Sequence, residues 1–125
     1  MRTVITTKLA PSPAGPYSQA VRANGFILAA GQVALDPATQ ELVAGGITEQ
    51  TEQILRNVAA LLGSAGSGME KVVRCAVYLK SMADAAAMNE VYVRYFRDPL
   101  PARTTLEVSR LPKGSLVQIE VTALE

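Results

Sequence analysis

With no histidine and one cysteine among 125 residues, this chain has few side chains able to do chemistry. Carboxylates, arginines, hydroxyls and backbone groups remain. The missing imidazole removes histidine general bases and every metal site built on histidine. The lone Cys75 excludes an intrachain disulfide and a thiolate zinc cluster. Cys75 lies in a β-rich stretch with no histidine to activate it, so it reads as a small core hydrophobe. Arg103 and Glu120 are the most informative pair. Each falls on a predicted strand, and the alternation of each strand places both on the polar face of the sheet. They read either as a cross-strand ion pair worth less than about 1 kcal/mol or as an anion clamp beside a general acid/base. Arginine's planar fork matches a carboxylate, and a partly buried glutamate can orient and deprotonate water. Tyr17 follows Gly15-Pro16 in a rigid loop, where its ring either packs over the core edge or lines a pocket. Asn89 sits one position from the buried stripe of a predicted helix, where such a residue is solvated, bonds locally or faces a site.

The elements that must hold these residues are legible from periodicity and punctuation. Pro11-Ser12-Pro13-Ala14-Gly15-Pro16 forbids regular structure and predicts an ordered loop. Asn24-Gly25 between two apolar runs predicts a hairpin. Ile54, Leu55, Val58, Leu61, Leu62 and Ala65 recur at helical spacing, predicting a helix from Thr48 to about Ala65. A second helix is predicted from Ser81, capped with Asp84. It buries Ala85, Met88, Tyr92, Tyr95 and Phe96, and stops at Asp98-Pro99-Leu100-Pro101. Strands are predicted at Arg2–Thr6, Ala20–Ala23, Phe26–Val33, Val72–Leu79, Ala102–Val108 and Leu116–Ala123. The order β-β-β-α-β-α-β-β gives an α+β domain whose two helices cover one face of a sheet. In the last strand Val117, Ile119, Val121 and Ala123 point toward the helices, and Gln118, Glu120 and Thr122 point away. The uncovered face also carries Leu28, Ala30 and Gln32. Alternation alone favours a solvated face there, with a subunit interface as the alternative.

A single domain suits this length. The signs of 12 basic and 11 acidic residues are interspersed, for a net charge of +1, so no nucleic-acid partner is expected. Met1–Lys8 has no apolar core behind its early charge and does not read as a secretory signal. The apolar run Phe26–Ala30 is far short of a membrane span. A cytoplasmic protein without membrane contact is the expectation. No P-loop, dinucleotide fingerprint, nucleophile elbow or EF-hand is present, and no cofactor or metal is expected.

The same residues carry a resemblance. Gly15-Pro16-Tyr17-Ser18-Gln19-Ala20, Gly31-Gln32, Met88-Asn89-Glu90-Val91-Tyr92, Pro101-Ala102-Arg103, Glu107 to Gly114 and Ile119-Glu120 together resemble the RidA (YjgF-type) family, from about Pro11 to Glu125. The resemblance implies a chorismate-mutase-like fold and a homotrimer whose sheets form a central barrel. It turns the uncovered face into an interface, with ligand clefts between subunits. It implies a hydrolase of the 2-iminobutanoate/2-iminopropanoate deaminase type, converting reactive enamine/imine intermediates to 2-ketoacids and ammonia. Arg103 would bind the substrate carboxylate, and Glu120 would position water and move its proton. Tyr17, Ala30, Gly31, Asn89 and Thr105 would line the pocket. Two positions depart from the commonest pattern: Ala30 stands where serine is usual, and Thr105 where cysteine is usual. A non-catalytic protein binding small carboxylates is the alternative reading.

Overall fold

A computed structural model describes all residues, 1–125. The strands are β1 (Thr3–Ile5), β2 (Ala20–Ala23), β3 (Phe26–Ala29), β4 (Val72–Leu79), β5 (Ala102–Glu107) and β6 (Val117–Leu124). The helices are α1 (Ile47–Ser64) and α2 (Ala85–Tyr92), with short 3-10 turns at Met69–Lys71, Met82–Asp84 and Pro112–Gly114. The strands form one six-stranded sheet in the order β1-β2-β3-β6-β4-β5. Every neighbouring pair is antiparallel except β4 and β5, which run parallel. Both helices lie on one face, so the α+β expectation and the element order hold.

Local chemistry explains most of the boundaries. Asn24 (φ 52°) and Gly25 (φ 83°) both adopt the left-handed conformation of a tight hairpin turn, and Ala23 pairs with Phe26 across it. At the start of α1 the Glu49 carboxylate accepts a hydrogen bond from the Gly46 N–H at 2.8 Å, satisfying a donor that the helix leaves free. At its end Gly66 takes φ 79°, and the Ser67 N–H returns to the Leu62 carbonyl at 2.9 Å. α2 is shorter than its apolar stripe predicts. Ser81 accepts from the Ala83 N–H at 3.2 Å and so caps a 3-10 turn rather than the helix itself. Beyond Tyr92 the backbone tightens, with Arg94 and Tyr95 donating to Val91 and Tyr92 three residues back. That turn still delivers Phe96 to the core, 4.5 Å from the Tyr92 ring.

The core lies between the helices and the sheet. Ile54, Leu55, Val58, Leu61 and Leu62 of α1 meet Ile27, Cys75, Val77, Leu79, Val117 and Ile119, all fully buried. Each such aliphatic side chain contributes about 1.5–3 kcal/mol by leaving water. The buried amides of α1 are matched. Asn57 donates to the Leu35 carbonyl at 2.8 Å, and Gln50 accepts from the Leu116 N–H at 2.9 Å. Burial raises the Cys75 thiol above its ordinary pKa, in keeping with a core hydrophobe.

The opposite face carries a different surface. Val4, Phe26, Leu28, Leu106 and Leu124 share it by register, and each is 39% to 55% exposed. Several large apolar side chains left open on one face of a sheet are a feature of surfaces that meet a partner.

Candidate functional site

The sheet register decides where the candidate residues point, and it overturns one expectation. Arg103 and Glu120 do not share a face. Strands β4 and β5 are parallel, with Cys75 beside Arg103, Val77 beside Thr105 and Leu79 beside Glu107. Paired residues on neighbouring strands point the same way. Cys75, Val77 and Leu79 are buried under the helices, so Arg103, Thr105 and Glu107 also point to the helix side. Ala102, Thr104 and Leu106 take the open face, and Leu106 is 49% exposed there. Glu120 pairs with Ala76 and does lie on the open face. With β4 between their strands, the two residues sit roughly 10 Å apart across the sheet and on opposite sides of it. An ion pair between them within one chain is excluded.

Arg103 is held by α2. Its Nη1 donates to Asn89 Oδ1 at 2.8 Å, and its guanidinium carbon lies 4.7 Å from the centre of the Tyr92 ring. The ring face attracts the cation, and Tyr92 is itself only 5% exposed, so this platform is rigid. Its phenol is pushed well above the ordinary tyrosine pKa, first by burial and then by the neighbouring Cys75 thiol. The Tyr92 hydroxyl and Thr105 Oγ1 are both shut off from solvent without a hydrogen-bond partner. Arg103 has no carboxylate partner in the chain. The remaining guanidinium donors face a cleft of about 440 Å³ that Asn89, Tyr92, Val93, Leu100 and Pro101 complete. A cation beside an apolar wall suits a small organic anion.

The second group forms on the open face. Strand β3 pairs Leu28 with Thr122, yet the next bridge joins Gln32 to Ile119. Ala29, Ala30 and Gly31 therefore oppose only Val121 and Glu120, a β-bulge next to Glu120. This is why β3 ends at Ala29 rather than at Val33. Gly31 is required by close approach: a Cβ there would run into the side-chain amide of Gln118. Gly31 and Gln118 line a cleft of about 90 Å³ with Tyr17, Pro11, Ser12 and Lys113. The loop carrying Tyr17 is ordered by Gln19, which is buried and fully bonded. Its amide donates to the carbonyls of Thr7, Ala10 and Pro11 and accepts from the Thr7 N–H. Tyr17 stays 52% exposed, its hydroxyl accepting from the Ala14 N–H at 3.2 Å.

The structure thus brings Asn89 and Arg103 together, with Thr105 on the same side of β5. Separately, Tyr17 and Gly31 line one cleft, and Ala30 and Gly31 form the bulge opposite Glu120. No three His, Cys, Asp or Glu side chains come close enough to hold a metal ion, and no helix is long and apolar enough to cross a membrane. Sequence reasoning missed two supporting residues. Tyr92 was read only as core, although its position three residues after Asn89 puts both on one face of α2. Tyr78 was not singled out at all. It lies across from Gln118 and diagonal to Glu120, and its hydroxyl donates to Glu120 Oε1 at 2.6 Å. The alternation of β4 places it on the open face, but its partner depends on register.

Known proteins match this chain over nearly its whole length. The family described as Endoribonuclease L-PSP matches residues 7–125. A RutC family protein of Pyrococcus horikoshii is 51% identical over 123 residues, covering 98% of each chain. A mouse protein named 2-iminobutanoate/2-iminopropanoate deaminase is 44% identical over 125 residues, covering 100% of this chain and 93% of its own. Among solved structures, a protein of the conserved Rid family from Yersinia pestis superposes with a TM-score of 0.97 at 44% identity, covering 100% of both chains. The fold, the ordered motifs and these matches together show that the chain belongs to the Endoribonuclease L-PSP family, the RidA (YjgF-type) group that its sequence resembles.

Proposed function

We propose that the protein hydrolyses reactive imino acids, of the 2-iminopropanoate and 2-iminobutanoate type, to 2-ketoacids and ammonia. The observation that carries this reading is the isolated Arg103, oriented by Asn89 and Tyr92 toward an open cleft and lacking any carboxylate partner. Its free fork suits the carboxylate of a small imino acid. The imine carbon is already electrophilic, so an oriented water and a base are sufficient. Glu120 takes a proton from water as the oxygen attacks that carbon and the C=N bond becomes single. The proton passes to nitrogen. The hydroxyl proton of the resulting carbinolamine then moves to nitrogen by way of Glu120, and the C–N bond breaks as the C=O bond forms, releasing ammonia and leaving the keto group. General-base assistance of this kind contributes about 10²–10⁴-fold, and fixing the carboxylate supplies orientation.

Because Arg103 and Glu120 lie on opposite faces of the sheet, one chain does not assemble this site. We place it between copies of the chain in a homotrimer, with Arg103, Asn89 and Thr105 from one protomer and Glu120, Tyr17, Ala30 and Gly31 from its neighbour. The exposed apolar residues of the open face would be the surface that the copies cover. The near-neutral charge and the absence of a basic run argue against an RNA substrate.

A competition assay tests the reading. An amino-acid oxidase generates imines in situ from a panel of amino acids, with semicarbazide present to trap them. Less trapped product on adding this protein, and no such loss with Arg103→Ala, is the expected result. Undiminished trapping across the panel would overturn the hydrolase. Carboxylate binding by calorimetry in that case would favour a metabolite-binding protein, the reading that Ala30 in place of a hydroxyl supports.

A further inference from the structure

Glu120 is left with little support by the strand on one side of it. The Ala30-Gly31 bulge of β3 faces it from there and offers no side-chain donor. The support comes from the other side. Tyr78, on β4, reaches diagonally across the pair Ala76–Glu120 and donates its hydroxyl to Glu120 Oε1 at 2.6 Å. That length is typical of a charge-assisted O–H···O⁻ bond. No other hydrogen bond is made to this carboxylate within the chain. Tyr78 is well placed to give support, because β4 is hydrogen-bonded to β6 on one side and to β5 on the other. The phenol is held protonated above its ordinary range, chiefly by the hydrogen bond to Glu120, while Arg74 on the same strand opposes that effect.

We propose that Tyr78 is the positioning residue of Glu120. Its hydroxyl occupies Oε1, fixes the rotamer of a long side chain that otherwise samples several, and leaves Oε2 as the oxygen that takes the proton of the attacking water. Tyr78 touches neither substrate nor water in this role. The inference rests on the hydrolase reading above, but the bond it invokes can be measured without turnover.

Two measurements test it on the assembled protein. In the imine assay, Tyr78→Phe lowers kcat about tenfold and leaves KM within about twofold, since carboxylate binding stays with Arg103. In a spectrophotometric titration of the tyrosines, the transition lost in Tyr78→Phe identifies the Tyr78 phenol, and Glu120→Gln moves that transition to lower pH. An unchanged kcat in Tyr78→Phe, or a raised KM with kcat intact, would overturn the positioning role. A Tyr78 transition that ignores Glu120→Gln would overturn the bond itself. If the parent protein shows no turnover, the hydrolase reading fails and the kinetic role of Tyr78 fails with it. The titration then still decides whether Tyr78 holds Glu120.

Discussion

The two halves of the candidate site are built by different means. On the helix side, Arg103 lies on the edge strand β5 and depends on tertiary packing: Asn89 holds one guanidinium nitrogen and the Tyr92 ring lies against the cation. On the open face, Glu120 lies on the interior strand β6 and depends on the sheet alone, with the β3 bulge open on one side and Tyr78 bonded to it from the other. The cation is placed by a helix and the carboxylate by a register. A change that loosens α2 should therefore weaken substrate binding, whereas a change in the sheet should slow the chemical step. The difference also bears on assembly: with the sheet between them, the two groups do not meet within one chain, and the proposed site takes one from each of two copies.

The largest test of that division mixes two inactive chains. Arg103→Ala and Glu120→Gln should each lose at least about 10²-fold in turnover. Unfolded and refolded together, they should regain activity, because a site taking Arg103 from one chain and Glu120 from the other is intact in about a quarter of random pairings. Activity in the mixture no greater than in the separate variants would show that the two groups do not meet between copies. The open face is probed next by Leu28→Asp, which places a charge on the exposed apolar surface. The expected outcome is loss of the proposed trimer by light scattering, with the chain still folded by circular dichroism. A trimer that survives this change would sever the open face from assembly.

Stability separates the two faces more gently. Leu61→Ala, under the helices and fully buried, should cost about 2–5 kcal/mol in denaturant unfolding. On the dissociated Leu28→Asp background, Leu106→Ala should cost under about 0.5 kcal/mol, because Leu106 is half exposed in the chain. Equal costs would mean that the open face is packed within the chain itself. On the Arg103 side, Tyr92→Leu should raise KM by about 2–30-fold with little change in kcat, matching a lost cation–π contact of about 0.5–2 kcal/mol. Tyr92→Phe keeps the ring face and should keep KM near that of the parent. The smallest effect concerns alkaline pH. Burial raises Cys75, Tyr92 and Tyr95 above their ordinary values of 9.0 and 10.0. Each keeps its proton in the folded chain where the unfolded chain has lost it. Their contribution is therefore full below about pH 9 and declines as pH rises beyond it. A denaturation midpoint that stays level from pH 8 to pH 11 would contradict this.

Much of the molecule was legible in the sequence because it rests on neighbours along the chain. The Asn24-Gly25 turn, the apolar stripe of α1 and the alternation of β6 are all short-range patterns, and each appears where expected. The identity of the candidate residues was legible too, through motifs in fixed order. Their grouping was not. In β5 the apolar Leu106 and Val108 alternate with Arg103 and Glu107, so the pattern suggested that the charged set faces away from the helices. An edge strand with one neighbour has weak coupling between hydrophobicity and burial, and the parallel pairing with β4 set the parity the other way. Glu107 makes the same point: its carboxylate turns to the helix side and accepts from the Met82 N–H at 2.8 Å.

The sequence by itself determined the order of the secondary elements, the core of α1 and β6, and the family, since these follow from local periodicity and from residues in linear order. Tertiary structure alone decided that Arg103 and Thr105 take the helix side of the sheet, that Tyr92 backs Arg103, and that Tyr78 reaches Glu120. The physical reason is that a strand shifted by one residue turns every side chain to the other face. Register is set by pairing between distant segments, and no local pattern in β4 or β5 records it.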